Sequence, residues 1–207
     1  MKHSQLKKIY FIGGSPCSGK STIAEKMSAT YGLSYFKVDD YLENYVKKGE
    51  QSGKEICTRQ SHMSPEQIWM RPPVLQNEEE LQFYREIFEF ILKDLENMDS
   101  LNGIITEGAA FLPELMQKID VDQKHYVNIT PTVEFQCVHY RERPWVPYVL
   151  QECSDKEKAF SNWMERDALF AEYVRNQAER MGYQTFQIDG KKGSEEIELL
   201  VSQIFGL

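Results

Sequence analysis

Five short apolar runs, each rich in β-branched or aromatic residues, alternate along the chain with longer stretches in which apolar residues recur every three to four positions. The runs are 8–12 (ending Ile-Tyr-Phe-Ile), 34–38, 103–106, 125–130 and 184–188, and each predicts a strand. Helices are predicted over 21–31, 41–48, 77–98, 132–141, 156–181 and 195–204. The first carries Ile23, Ala24, Met27 and Tyr31 on one face. The third has a stripe of Leu81, Tyr84, Phe88, Ile91, Leu92, Leu95 and Met98, which reads as packing rather than a ligand surface, and the fifth has Phe160, Trp163, Phe170, Val174 and Met181. Strand and helix in repeated alternation call for a parallel sheet with right-handed crossovers and helices on both faces, an α/β fold of three layers.

Two stretches break the rhythm. Residues 49–64 are polar, with Gly49, Gly53, Lys54, Arg59 and His62 and little periodicity, which predicts a mobile surface segment. Ser64-Pro65-Glu66-Gln67 has the form of a helix start, and Arg71-Pro72-Pro73 stops that helix soon after. Residues 49–73 are therefore the candidate cap over a substrate. In the second stretch, Arg141 to Pro147 interrupts a helix with Pro144 and Pro147 and leads into a polar loop, making residues 141–156 a candidate lid. With 207 residues, the chain is expected to form a single domain over 1–207. At that size about 70% of the unfolded surface can be buried, so no structural metal or disulfide is needed.

Between the first strand and the first helix lies Gly13-Gly14-Ser15-Pro16-Cys17-Ser18-Gly19-Lys20-Ser21, which matches G-x-x-x-x-G-K-[ST] from Gly14 to Ser21. Glycines let the backbone wrap an anion so that successive N–H groups point at phosphate, and the helix N-terminus adds a favourable dipole. Lys20 is placed to reach the terminal phosphates as a point charge, and the Ser21 hydroxyl to complete the oxygen shell of magnesium. The nucleotide-binding set is Gly14, Ser15, Pro16, Cys17, Ser18, Gly19, Lys20, Ser21 and Thr22.

Strand ends supply the carboxylates. Asp39 and Asp40 follow the second strand, and Glu107-Gly108 follows the third, at the sheet edge where the loop also lies and where ligands bind in open parallel sheets. Asp39 is read as an acceptor-side base, Asp40 and Glu107 as metal-facing groups. Helix capping remains an alternative for the aspartates and a solvated turn for Glu107.

The net charge of −8 argues against a nucleic-acid-coating protein, because binding a phosphate backbone generally needs a basic face. Cys17, Cys57, Cys137 and Cys153 form no C-x-x-C pair, so neither a disulfide framework nor a zinc site is expected. Lys2, Lys7 and Lys8 precede an apolar run too short for a signal sequence, and no run approaches a membrane span. The expectation is a cytoplasmic protein without membrane or nucleic-acid partners, acting as a monomer or homodimer on a small molecule.

The loop, the two acidic strand ends and the Arg141/Arg143 segment together resemble the P-loop kinases, above all the small-molecule and nucleoside branch that includes uridine, nicotinamide riboside, gluconate and shikimate kinases. The resemblance spans nearly the whole chain in order and spacing, while only the phosphate loop is a specific motif. It implies a five-stranded sheet of order 2-3-1-4-5, ATP with Mg2+, and transfer of the γ-phosphoryl group to a small acceptor. It also implies that Asp39 receives the acceptor hydroxyl and that Arg141 and Arg143 close over ATP as lid residues, although both are equally at home as surface cations at a helix end. The third strand ends in Glu107 where those families usually have Asp, the loop carries an uncommon Pro16-Cys17, and the absence of an N-K-x-D signature favours ATP over GTP.

Two rivals stand beside the small-molecule kinase. A nucleoside monophosphate kinase would use Arg59 and Arg71 of the cap to bind the acceptor's phosphate, and it requires both to face the cleft. An inactive ATP-binding regulatory module would have no use for carboxylates opposite the γ-phosphate.

Overall fold

The computed structural model describes residues 8–207. Five strands, β1 (Ile9–Gly13), β2 (Ser34–Lys37), β3 (Ile104–Glu107), β4 (Tyr126–Pro131) and β5 (Gln184–Ile188), form one all-parallel sheet in the order β2-β3-β1-β4-β5. The apolar runs are continuous rather than alternating because both sheet faces are covered. Successive residues point to opposite faces, so Phe11 and Ile104 enter one core while Ile12 and Ile105 enter the other.

Helix α1 (Lys20–Tyr31) and α10 (Ser194–Phe205) cover one face through Ile23, Met27, Ile197 and Val201. The other face carries the larger core, built on α5 (Pro73–Glu96) and α9 (Lys156–Arg180). Helix α5 starts four residues before the periodicity suggests, because Pro73 stops the preceding helix and also occupies the first turn of the next, where its missing N–H costs nothing. Its buried set is wider than one stripe, adding Phe83, Ile87 and Phe90 to the expected positions, and Leu92 and Met98 are only partly buried.

The candidate cap, residues 49–73, is more helical than its composition predicts. After α2 (Leu42–Gln51), residues of the polar stretch form α3 (Glu55–Ser61), whose Ile56 and Cys57 are buried and whose first amides donate to the buried Glu86 carboxylate, Cys57 N to Oε2 at 3.0 Å. Helix α4 (Pro65–Trp69) opens with the expected cap: Ser64 accepts from Gln67 N, and the Ser64 amide donates to Gln67 Oε1. A helix without a sequence prediction, α6 (Pro113–Lys118), follows β3. The candidate lid, after α7 (Val133–Arg141), holds the short α8 (Val146–Val149) and a small core of its own in which Val146, Leu150 and Cys153 pack on Phe160 and Trp163.

Candidate active site

The phosphate loop is held from beneath by β4. A Cβ on Gly14 would stand 1.8 Å from the Ile129 carbonyl oxygen, and Gly14 has φ +121°, so glycine is required for both space and conformation. A Cβ on Gly13 would meet the Tyr126 hydroxyl, which itself donates to Phe111 O at 2.9 Å and accepts from Asn128 Nδ2 at 3.2 Å. Cys17 takes φ +61°, a left-handed conformation that costs a non-glycine residue energy and that concentrates where the surroundings impose it.

Lys20 is buried at the start of α1, and its ammonium turns back on the loop, donating to Ser15 O at 2.6 Å and Ser18 Oγ at 3.3 Å. Burial pulls its pKa down, while the charges of Glu107 and Asp39 act the other way. Next to it, Ser21 Oγ donates to Glu107 Oε1 at 3.0 Å, and Tyr35 Oη donates to the same oxygen at 3.1 Å. Glu107 is 1% exposed, and burial raises its pKa in spite of Lys20.

No cluster of three or more His, Cys, Asp or Glu side chains that could enclose a metal occurs among the described residues. Magnesium keeps several waters and takes one or two carboxylates together with substrate phosphates, and Ser21 with Glu107 offers a donor set of that kind beside the loop.

These groups open onto a cavity of about 470 Å³ that also receives Asp39, from the 3₁₀ turn Val38–Tyr41 that ends β2. Its lining also includes the aromatic and apolar side chains of Leu42, Tyr84, Tyr140, Trp145 and Trp163, with Arg166. A second cavity of about 340 Å³ lies on the other side of the loop, between Phe135 and His139 of α7, Ile188, Gly190 and Ile197. Arg143 lines both, with its guanidinium over the rings of Tyr140 at 4.9 Å and Trp145 at 5.5 Å.

Four residues singled out in the sequence lie elsewhere. Asp40 is exposed, 4.0 Å from Lys37 Nζ, and lines neither cavity. Arg141, exposed, stacks on Phe160 at 4.5 Å, with Glu157 at 3.5 Å, and lines neither cavity. Arg59 and Arg71 both pair with the buried Glu79, at 3.0 and 2.6 Å, which holds both guanidiniums to one carboxylate, and neither lines either cavity.

The structure adds Arg166 and Asp167. Asp167 is fully buried, 2.7 Å from Arg166 Nε, and Glu80 of α5 pairs with the same guanidinium. Burial raises the Asp167 pKa against the pull of Arg166. The sequence held a signal for this: in α9 the apolar positions Phe160, Trp163, Phe170 and Val174 step by three and four except where Asp167 takes the place of an apolar residue.

A strand, glycine loop and helix feeding a parallel sheet of order 2-3-1-4-5 define the fold class of the P-loop NTPases. No family model matches the chain. Over 48 residues it is 42% identical to adenylate kinase isoenzyme 1 of Caenorhabditis elegans, a match covering 23% of this chain and 23% of that protein. The chain thus spans under a quarter of the length of the curated relative it matches, and the likeness is to a nucleotide kinase. No helix among the described residues is long and apolar enough to cross a membrane.

Proposed function

We propose that the protein is an ATP- and Mg2+-dependent phosphotransferase that moves the γ-phosphoryl group to a hydroxyl of a small molecule. The observation that carries this reading is the presence of Asp39 in the same cavity as Lys20 and Glu107, with room beyond it for an acceptor. A module that only binds nucleotide has no need of that carboxylate or of that space.

Phosphoryl transfer leaves little covalent chemistry to the protein, so positioning and charge dominate. The loop amides and Lys20 hold the phosphates, and Arg143, reaching both cavities, covers them from the lid side. Ser21 and Glu107 are the residues that would hold magnesium, which when bound spreads the charge on the transferring group. Asp39 orients the acceptor hydroxyl and takes its proton as the new O–P bond forms and the bond from the γ-phosphorus to the bridging oxygen breaks. Residues 49–73 form the substrate-side cap and 141–156 the lid.

A nucleoside monophosphate kinase is the second reading, favoured by the likeness to an adenylate kinase. It is opposed by the pairing of Arg59 and Arg71 with Glu79. Acceptor-dependent ADP release, scored against background ATP hydrolysis over sugars, nucleosides and nucleoside monophosphates, separates the two. The absence of any acceptor-dependent release, with ATP bound, would leave only the binding module.

A further inference from the structure

We infer that Glu66 and Trp69 of the cap are positioning residues that couple it to the lid, so that nucleotide held under the lid also orders the cap. This rests on the phosphotransferase reading, in which the lid covers the nucleotide. No residue of 49–73 is among those lining the cavity of about 470 Å³, so the cap acts on a bound molecule through the side chains it holds in place. Trp69 holds two of them. Its ring stacks on that of Trp163 at 4.4 Å and 25°, and the Arg166 guanidinium lies over it at 5.3 Å, while Trp163 and Arg166 both line the cavity. The Trp69 carbonyl also accepts from Asn162 Nδ2 at 2.9 Å, so α4 is bonded to α9 as well as stacked on it.

A second set of contacts reaches the lid itself. Both oxygens of the Glu66 carboxylate are taken by Ser154, whose amide donates to Oε2 and whose hydroxyl donates to Oε1, each at 2.7 Å. Two bonds from a carboxylate to one residue fix the orientation of α4 against the end of the lid, where a single bond would leave a swivel. Beside them Trp69 and Met70 pack on the core that the lid builds from Val146, Leu150 and Cys153. The lid therefore lifts either by breaking these bonds and contacts or by disturbing α4. At its other end α4 is tied to α5, where Gln76 Nε2 donates to Arg71 O at 2.8 Å and Arg71 pairs with Glu79, so a disturbance of α4 is passed to the base of the cap. Such coupling is reciprocal: whatever orders the cap tightens nucleotide by the same factor as nucleotide orders the cap.

Packing alone would steady α4 without answering to nucleotide, and hydrogen exchange tells the two apart. Exchange is measured on the whole chain with and without a non-hydrolysable ATP analogue and magnesium, and followed in residues 65–70 and 142–153. Nucleotide is expected to slow both stretches, each by roughly tenfold, a middling value for coupling between sites. Glu66→Ala removes both bonds to the exposed Ser154, and Trp69→Ala removes the stack. In either variant the slowing in the lid should persist while that in the cap shrinks toward none, and Trp69→Phe, which keeps a ring to stack, should restore it. If Trp69→Ala fails to fold, Glu66→Ala decides. Slowing in the lid and not in the cap of the wild type, slowing in neither with the analogue bound, or slowing in the cap that survives Glu66→Ala overturns the inference. The phosphotransferase reading fails separately, if ATP with magnesium produces no thermal shift. The coupling is then read without nucleotide: Glu66→Ala should speed exchange in α8 (Val146–Val149) as well as in α4, and unchanged exchange in α8 overturns it.

Discussion

Ser21 Oγ and Glu107 Oε1 are 3.0 Å apart, joining the first turn of α1 to the end of β3 across 86 positions of sequence. The two groups best placed to face magnesium therefore satisfy one another, with Tyr35 as a third partner. In the proposed mechanism, metal binding exchanges this bond for coordination, and Glu107 must be ionised to take part.

Glu107→Gln makes that exchange measurable. The folded-state pKa of Glu107 is raised by burial, so the native state penalises its charged form, and the penalty is present above that pKa and fades as pH falls through it toward the ordinary value of 4.5. Gln keeps an acceptor for Ser21 and Tyr35 without the charge. The variant without ligand should be more stable than wild type at pH 7 to 8, by roughly 0.5–2 kcal/mol, with the gain disappearing on acidification. Chemical denaturation at several pH values checks this, and magnesium-dependent nucleotide affinity should drop in the same protein.

Lys20→Met separates binding from folding in a similar way. The native state depresses the Lys20 pKa, so its charge costs stability at neutral pH, and that cost fades as pH rises above the folded pKa and is gone only above the ordinary value of 10.5. Without nucleotide the melting temperature should stay level or rise. Turnover should fall by roughly 10² to 10³, as for removal of a single electrostatic stabiliser. Wild-type turnover in this variant would remove the phosphate loop from the mechanism.

Asp39→Asn tests the acceptor side. The side chain is exposed and lines the cavity, so the fold does not depend on it. Acceptor-dependent ADP release should fall by roughly 10² to 10⁴ while ATP affinity changes far less. Weakened ATP binding that returns with added magnesium would instead make Asp39 a group that orders the metal's waters. Asp40→Asn, at a residue exposed beside Lys37, serves as the control and should leave both quantities unchanged.

Arg141 and Arg143 are two positions apart and should behave oppositely. Arg143→Ala removes a cation that lines both cavities and should lower kcat/KM for ATP by roughly 10². Arg141→Ala removes an exposed cation that rests on Phe160, and stability should stay within about 0.5 kcal/mol with activity near wild type. Steady-state kinetics on the pair decides the assignment.

The strands, most of the helices and the phosphate loop were legible because they depend on local signals, namely continuous apolar runs, helical spacing and one glycine pattern, whereas the strand order came only with the resemblance to the P-loop kinases. Pairing at a distance was not legible. Nothing near Arg59 or Arg71 in sequence announces that Glu79 is buried between them, and the polar run that becomes α3 is folded by the carboxylate of Glu86, 30 residues away. Tyr84 was assigned to packing because its spacing is that of packing. The structure gives it both roles, since the end of the α5 stripe nearest the sheet edge forms a wall of the cavity. Arg166 and Asp167 belong to no motif, and only the place of Asp167 within the apolar stripe of α9 sets them apart in the sequence.

The support of the phosphate loop by β4 has a consequence for the timing of the reaction. Gly13 and Gly14 lie against Tyr126 and Ile129, and those two residues are themselves fully buried in strand β4. The loop therefore has its shape before nucleotide arrives, and binding incurs no cost for ordering it. In the proposed mechanism the part left to move is the segment carrying Arg143, a residue that lines both cavities beside a small core of its own. On the proposed reading, the residence time of ADP, and with it the ceiling on turnover, should follow how often the core around Val146 and Leu150 lets that segment lift.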